Sequence, residues 1–463
     1  MRSFTLSAIA ATVLLFAQEV YAQSATNMNA LMGLAPVSAL QNTTVGKFAL
    51  TRNLTITGSI QDGAAQQPTL LPFPEQQQQA LRDAFITDGN AYQLADGLGS
   101  ELEKAYHSLT TYENPKDGNR PGFTSVSPAV ARLIAYANAT TRSDSGSAKF
   151  FFGNGTTDGR DPVSNRAIAI LNEFKGRVDV FGRAYDRPAG SKGDAVNGNP
   201  RPFQTELNIQ PIVGRDFFGK WSSNMAYLRG PAQNLTNSPS FPSGHTTYGY
   251  LESLLLALLV PQRYLQMVVR AAEYGNDRII LGAHYAMDVV GGRTLAMYDL
   301  AQLLANKPDY VGLTLSGVKI DDFQMALAAA RDHMTSALEN GCGGRVAVCA
   351  LRDQSRFADP SRNLHFYEVT QTYALPVVFE ENQNKVEDVA KLAPEAGYLL
   401  TTAFPYLTLR EADDILTETE GPGGGFLDDG SSFGVYSRLD LYKAGEKAVS
   451  RAPTPQPGVT FAR

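Results

Sequence analysis

The segment YLESLLLALLV, residues 250 to 260, constrains the chain most. As a helix it is apolar on nearly every side, so other elements must bury it. Glu252 inside it and Pro261 at its end make it too polar and too short for a bilayer span. The fold must therefore surround one central helix, and the rest of the sequence offers mostly helices to do so. Helical periodicity recurs in EQQQQALRDAFI, PAVARLIAYANA, SNRAIAILNEF and DFQMALAAARDHMTSALEN. Strand-like alternation is confined to short pieces, of which FALTRNLTITGSI, residues 48 to 60, is the longest. The expectation is a mainly α fold with short strands and long loops. Gln76 to Gln79 read as the solvated face of a helix start.

No Pro/Ser-rich linker, charge block or internal repeat divides the 463 residues, so residues 23 to 450 read as a single domain. The first 22 residues have the form of a secretory signal. Arg2 is followed by an apolar stretch from Phe4 to Phe16, and Val20 and Ala22 suit the cleavage rule, so the mature chain should begin near Gln23. Residues 451 to 463 read as a flexible tail. Beyond the signal no apolar run is long enough to cross a membrane, which places the protein in the periplasm or outside the cell. Removing the signal takes away Arg2 and Glu19, so the formal charge stays at -6, against a nucleic-acid partner or an anionic membrane surface.

Cys342 and Cys349 have six residues between them in a Gly-rich stretch. In an exported protein such a pair forms a local disulfide, whereas two thiols with no nearby histidine make only half of a zinc set. No cluster of metal-type ligands accompanies them, and no metal is expected.

Just before the central helix stand Pro242, Ser243, Gly244 and His245. Ser243 suits an N-cap, and a buried helix starting on Ser-Gly aims free N–H groups and the positive end of its dipole at one spot, which suits an anion. Further on come Arg278, His284 and Asp288. If the run from Ala283 to Leu304 is a helix, His284 and Asp288 lie one turn apart on one face, and the carboxylate orients the imidazole as a base or nucleophile. Upstream, Arg201 and Pro202 sit in a Gly/Asn-rich loop, where arginine offers a planar fork of donors matched to phosphate oxygens. His107, His333 and His365 belong to no such set, and GPGGGFLDDG, residues 421 to 430, lacks the Lys-Ser/Thr of a phosphate loop and reads as a turn-rich loop.

In this order the three elements resemble the type 2 phosphatidic-acid-phosphatase superfamily, which joins bacterial acid phosphatases, lipid phosphatases and vanadium haloperoxidases. Its pattern is Lys-x6-Arg-Pro, then Pro-Ser-Gly-His, then Ser-Arg-x5-His-x3-Asp. Here Arg201-Pro202, Pro242 to His245, and Arg278, His284 and Asp288 match it. Two positions depart. Asp277 stands where the family has Ser, and eight residues rather than six separate Lys192 from Arg201, so that Asp194 occupies the family's lysine position.

The resemblance implies the family's helical bundle, with the C-terminal segment packed on it, and a metal-independent acid phosphatase acting on small phosphomonoesters. His284, oriented by Asp288, would take the phosphoryl group, and His245 would protonate the leaving alcohol and then activate water. Arg201, Arg278, Lys192 and the N–H groups of Ser243 and Gly244 would hold the phosphoryl oxygens, with Asp194 turned away. No cofactor is implied. A vanadium haloperoxidase, with vanadate on His284, is the alternative in the same pocket. A non-catalytic phosphate-binding protein fits less well, since binding alone needs no acid and no nucleophile.

Overall fold

A computed structural model describes residues 25–64, 69–85, 91–113, 122–191, 196–206 and 209–453. The expected signal at residues 1 to 22, Lys192, Asp194 and the residues beyond 453 lie outside these residues. The described residues are 61% helical and 4% strand, a mainly α fold as expected.

The helices that build the site are α1 (Thr44–Asp62), α2 (Phe73–Asp83), α3 (Pro128–Asn154), α4 (Gly244–Leu259), α5 (Tyr264–Ile280) and α6 (Ala286–Leu304). Helix α4 carries the apolar segment, and α3, α5 and α6 pack around it. Every residue from Tyr250 to Leu259 is buried. Each leucine there contributes on the order of 1.5–3 kcal/mol through burial. Helix α7 (Phe323–Cys342) closes a further side, and α8 (Leu441–Ser450) packs on α5. The C-terminal segment is tied down by polar contacts as well. Arg293 donates to the Ser437 carbonyl at 2.7 Å, and the Tyr264 hydroxyl to that of Leu399 at 3.1 Å. Residues 421 to 430 contain neither helix nor strand. The strands among the described residues form three two-stranded hairpins, of which Val213–Arg215 with Trp221–Ser223 is the longest.

Residues 48 to 60 are not a strand: they lie inside α1. Thr43 caps this helix by accepting from the Gly46 N–H, Gly63 ends it with φ 75°, and the face between is buried. The Thr/Ile alternation is overridden because Asn53 and Thr57, one turn apart, serve another helix. Asn53 accepts from the Met287 N–H at 2.9 Å and Thr57 from that of Ala286 at 3.1 Å. Two of the first N–H groups of α6 are thereby satisfied, as a buried helix start requires. Gln76 and Gln79 are likewise not solvated. Both are buried, and Gln76 Nε2 donates to Asp277 at 2.9 Å. The sulfurs of Cys342 and Cys349 stand at disulfide distance, 2.11 Å.

Candidate active site

Helix α4 begins where expected, with Ser243 as N-cap accepting from the Thr246 N–H at 3.1 Å. Its end is pressed against α6: the Ser243 N–H donates to the Asp288 carbonyl at 3.0 Å. Gly292 permits this approach, since a Cβ there would lie 2.5 Å from the Ser243 carbonyl oxygen. The consequence corrects the sequence reading of the anion cradle. The Ser243 N–H is spent on the protein, and Gly244 and His245 carry the backbone donors left at this end of the helix.

His284 does not sit on α6. That helix starts at Ala286 with Tyr285 as its N-cap, so His284 stands just ahead of the first turn. A tight turn lifts it there, because the Arg278 carbonyl accepts from both the Ala283 N–H, at 3.0 Å, and the His284 N–H, at 3.2 Å. Asp288 still reaches it, with Oδ2 3.4 Å from Nδ1. Ser240 strengthens this long contact, donating through Oγ to the same carboxylate oxygen while lying 3.3 Å from His284 Nδ1. The Tyr285 N–H donates to that oxygen at 2.8 Å. Asp288 is thus fixed from three sides.

The other imidazole nitrogen, Nε2, faces Arg201 Nη1 at 3.0 Å and His245 Nδ1 at 3.0 Å. A guanidinium can only donate, so His284 Nε2 presents a lone pair and its ring proton sits on Nδ1, toward Asp288 and Ser240. Arg201 is held rigidly for this task. Its Nε donates to the Ser238 carbonyl at 2.7 Å, Nη1 also to that of Ala283 at 3.0 Å, and Nη2 to that of Pro239 at 3.2 Å. Arg278 is the opposite case. It stacks over the Tyr274 ring at 4.4 Å, is buried, and leaves Nε and Nη2 without a hydrogen-bond partner. An unpartnered buried donor costs about 1–3 kcal/mol or more when charged, so these N–H groups call for an acceptor.

The charge balance is one-sided. Burial, then the charges of Arg278, Arg201 and Lys149, push the His245 pKa well below its usual value. Burial, then Arg201, His245 and Lys149, do the same to His284. Both rings are neutral when the pocket is empty. Burial pushes Asp288 up to about 6, although its bonds to Ser240 and Tyr285 oppose the shift. Cationic groups from three segments, Lys149, Arg201 and Arg278, therefore share the pocket with one carboxyl.

The structure brings together Arg201, Ser243, Gly244, His245, Arg278, His284 and Asp288, while Lys192 lies outside the described residues. It adds two residues that spacing did not reveal. Ser240 stands only two positions before Pro242, but no pattern marks it. Lys149 is on α3, far upstream, and its Nζ lies 3.1 Å from where a Cβ on Gly244 would be. Asp277, the residue in place of the family's Ser, faces Gln76 and Asp83 rather than the histidines. Among the described residues no group of three or more His, Cys, Asp and Glu could hold a metal ion.

Residues 194–305 match the family model for the PAP2 superfamily. The non-specific acid phosphatase of Salmonella typhimurium (strain LT2) is 34% identical over 196 residues, covering 32% of this chain and 73% of that protein. The enzyme of the same name from Salmonella typhi is 33% identical over 196 residues with the same coverage. An acid phosphatase of Zymomonas mobilis is 38% identical over 71 residues, 15% of this chain and 27% of that protein.

Proposed function

The chain belongs to the PAP2 superfamily, and from that premise we propose that it is a metal-independent acid phosphatase hydrolysing phosphomonoesters through a phosphohistidine at His284. One observation supports the reading above the rest: His284 Nε2 carries a lone pair, is oriented through Nδ1 by Asp288 and Ser240, and meets both Arg201 and His245. A phosphoryl group entering between the two histidines takes the place of their mutual contact. Nε2 attacks phosphorus as the bond to the leaving oxygen breaks, and His245 supplies the proton that makes this oxygen an alcohol. Water, losing a proton to His245, then displaces phosphate from Nε2 and restores both rings. Arg201 Nη1, the idle N–H groups of Arg278 and the Gly244 N–H take the equatorial oxygens, whose charge grows in the transition state.

A dianion in the pocket answers its excess positive charge and raises the pKa of His245, which equips it as an acid. The relatives' names favour this chemistry over vanadium-dependent halide oxidation in the same cradle. An oxidising compartment, periplasmic or extracellular, agrees with the Cys342–Cys349 pair. Among the described residues no helix is long and apolar enough to cross a membrane.

The test is turnover of a generic aryl phosphate from pH 4 to 8, with EDTA present throughout. Acid-labile phosphate on His284 is expected after rapid quenching, and His284→Ala should abolish turnover. Label on a serine or aspartate, or activity that needs added zinc or magnesium, would overturn the proposal.

A further inference from the structure

We infer that Lys149, delivered from α3, is the lysine that holds the phosphoryl group in this chain, in place of a lysine from the loop before Arg201. The inference rests on the phosphatase reading above and names a residue that the motif pattern does not contain.

Three observations carry it. The first is position. Helix α3 brings Nζ of Lys149 against Gly244, so close that a Cβ at 244 would stand 3.1 Å from it. Gly244 opens α4, whose N-terminal end carries unspent backbone N–H groups. The ammonium thus lies beside the first of the backbone donors that the α4–α6 contact leaves unspent. The second is the company it keeps. Arg201 and Asp288 act electrostatically on Lys149, and Lys149 acts on both His245 and His284, so one ammonium touches the field of all four principal site residues.

The third is that it has no other employment. No hydrogen bond or ion pair engages its ammonium among the described residues, and the acid earlier on the same helix, Asp144, pairs with Asp299 instead. Burial and the Arg201 charge hold Lys149 down to about 7, with Asp288 opposing the shift, as expected for a cation facing another cation. A lysine merely reaching for solvent from a helix surface would avoid such a place.

The sequence departure now has a physical sense. An acid at the family's lysine position, Asp194, costs little if the ammonium arrives from another element. Lysine tolerates this exchange because its charge is a compact point on a flexible stem, with none of the planar constraint that fixes an arginine.

The decisive measurement needs no variant. Wild-type protein is reductively methylated near pH 7, with and without vanadate, and the modification of each lysine is followed by peptide mass. Vanadate should slow modification of Lys149 at least about tenfold and leave Lys192 nearly unchanged. Equal rates at Lys149, or protection of Lys192 in its place, would overturn the inference. Kinetics give a second arm. Lys149→Met should lower kcat/KM for an aryl phosphate by roughly ten- to a thousandfold, Lys149→Arg should recover part of the loss, and Lys192→Met should cost less than about threefold. If wild-type protein shows no turnover at all, the phosphatase reading fails, while the vanadate arm still decides whether Lys149 holds an oxyanion. Turnover with no protection and no loss in Lys149→Met sinks the inference alone.

Discussion

Helix α5 carries two buried arginines, Arg270 and Arg278, whose surroundings have opposite designs. Arg270 sends Nη1 and Nη2 to the two Asp83 oxygens, both at 2.7 Å, and Nε to Asp96 at 2.7 Å. Arg356 completes the cluster, reaching Asp96 at 2.6 Å and both Glu273 oxygens at 2.7 Å. Two guanidiniums meet three carboxylates there, and almost every donor is spent. Eight positions along the same helix, Arg278 has a tyrosine ring and two nitrogens, Nε and Nη2, without a hydrogen-bond partner, with Arg201, Lys149 and two histidines around it. A buried cluster whose cations are all paired holds the fold together; one with unspent cationic donors suits an anion. Sequence neighbours on one helix can therefore serve different ends, and what separates them is what faces them.

The largest effect that tests this contrast is a pair of alanine substitutions. Arg270→Ala strands Asp83 without its cation and leaves Asp96 to Arg356 alone, and should cost about 3–5 kcal/mol of stability, visible as a large fall in Tm. Arg278→Ala removes a cation that the empty protein leaves unpaired, so Tm should hold or rise. Its kcat/KM should fall on the order of a hundred- to ten-thousandfold, because donors to the transition state are gone. Should Arg278→Ala unfold the protein while Arg270→Ala stays stable, the two clusters have been assigned the wrong way round.

Their responses to pH should differ next. In the empty pocket His245 is held well below its usual pKa and Lys149 near 7, each by burial and neighbouring cations. A bound phosphate dianion raises both, so the complex holds more protons than the free protein, and affinity is greatest at low pH and is lost as pH rises. Phosphate binding should weaken by up to about tenfold per pH unit for each proton taken up, around and above pH 7. Calorimetry in buffers of different ionisation enthalpy measures the uptake directly, and zero uptake would refute the account of the site. In the Arg270 cluster, Asp96 behaves in the reverse sense. Its two arginines outweigh burial and hold it down to about 2, so its contribution is present above the ordinary carboxylate range and is lost as pH falls toward 2. One cluster answers to pH at neutrality, the other in acid.

The order of the motifs was enough to collect Arg201, His245, Arg278, His284 and Asp288, because each is marked by its spacing from a neighbour on the same local segment. Long-range partners were beyond that reading. Lys149 arrives from α3, and nothing in SGSAKFFFGN signals that its ammonium meets Gly244. The same limit explains α1. Its alternation of Thr and Ile suits a strand, but its true constraint is to present Asn53 and Thr57 to the start of α6, a demand set by a helix more than two hundred positions away. The expected helical placement of His284 also failed for a tertiary reason, since the Arg278 carbonyl claims two successive N–H groups and delays the helix to Ala286. The central helix was legible because a segment apolar all round has few places to go.

The smallest effect concerns Asp277, which lies on the boundary between the clusters, next to Arg278 in sequence and next to Gln76 and Asp83 in space. Burial, then the Asp83 and Glu273 carboxylates, push its carboxyl well above the ordinary range, which favours the neutral acid. Such a group contributes stability that is fully present below its unfolded pKa and is lost as pH rises through the raised, folded one. Replacing it by the family's residue, Asp277→Ser, should change kcat/KM by less than about threefold and shift stability by about 1 kcal/mol at neutral pH. It should also flatten the decline of Tm as pH rises above the ordinary carboxylate range, because the acid responsible for part of that decline is gone. Gln76 keeps a partner in the variant, since its Nε2 also donates to Glu273 at 3.2 Å. A kcat/KM that drops more than about thirtyfold with Tm unchanged would place this side chain on the phosphate, and the line drawn between the closed cluster and the open one would have to move past Asp277.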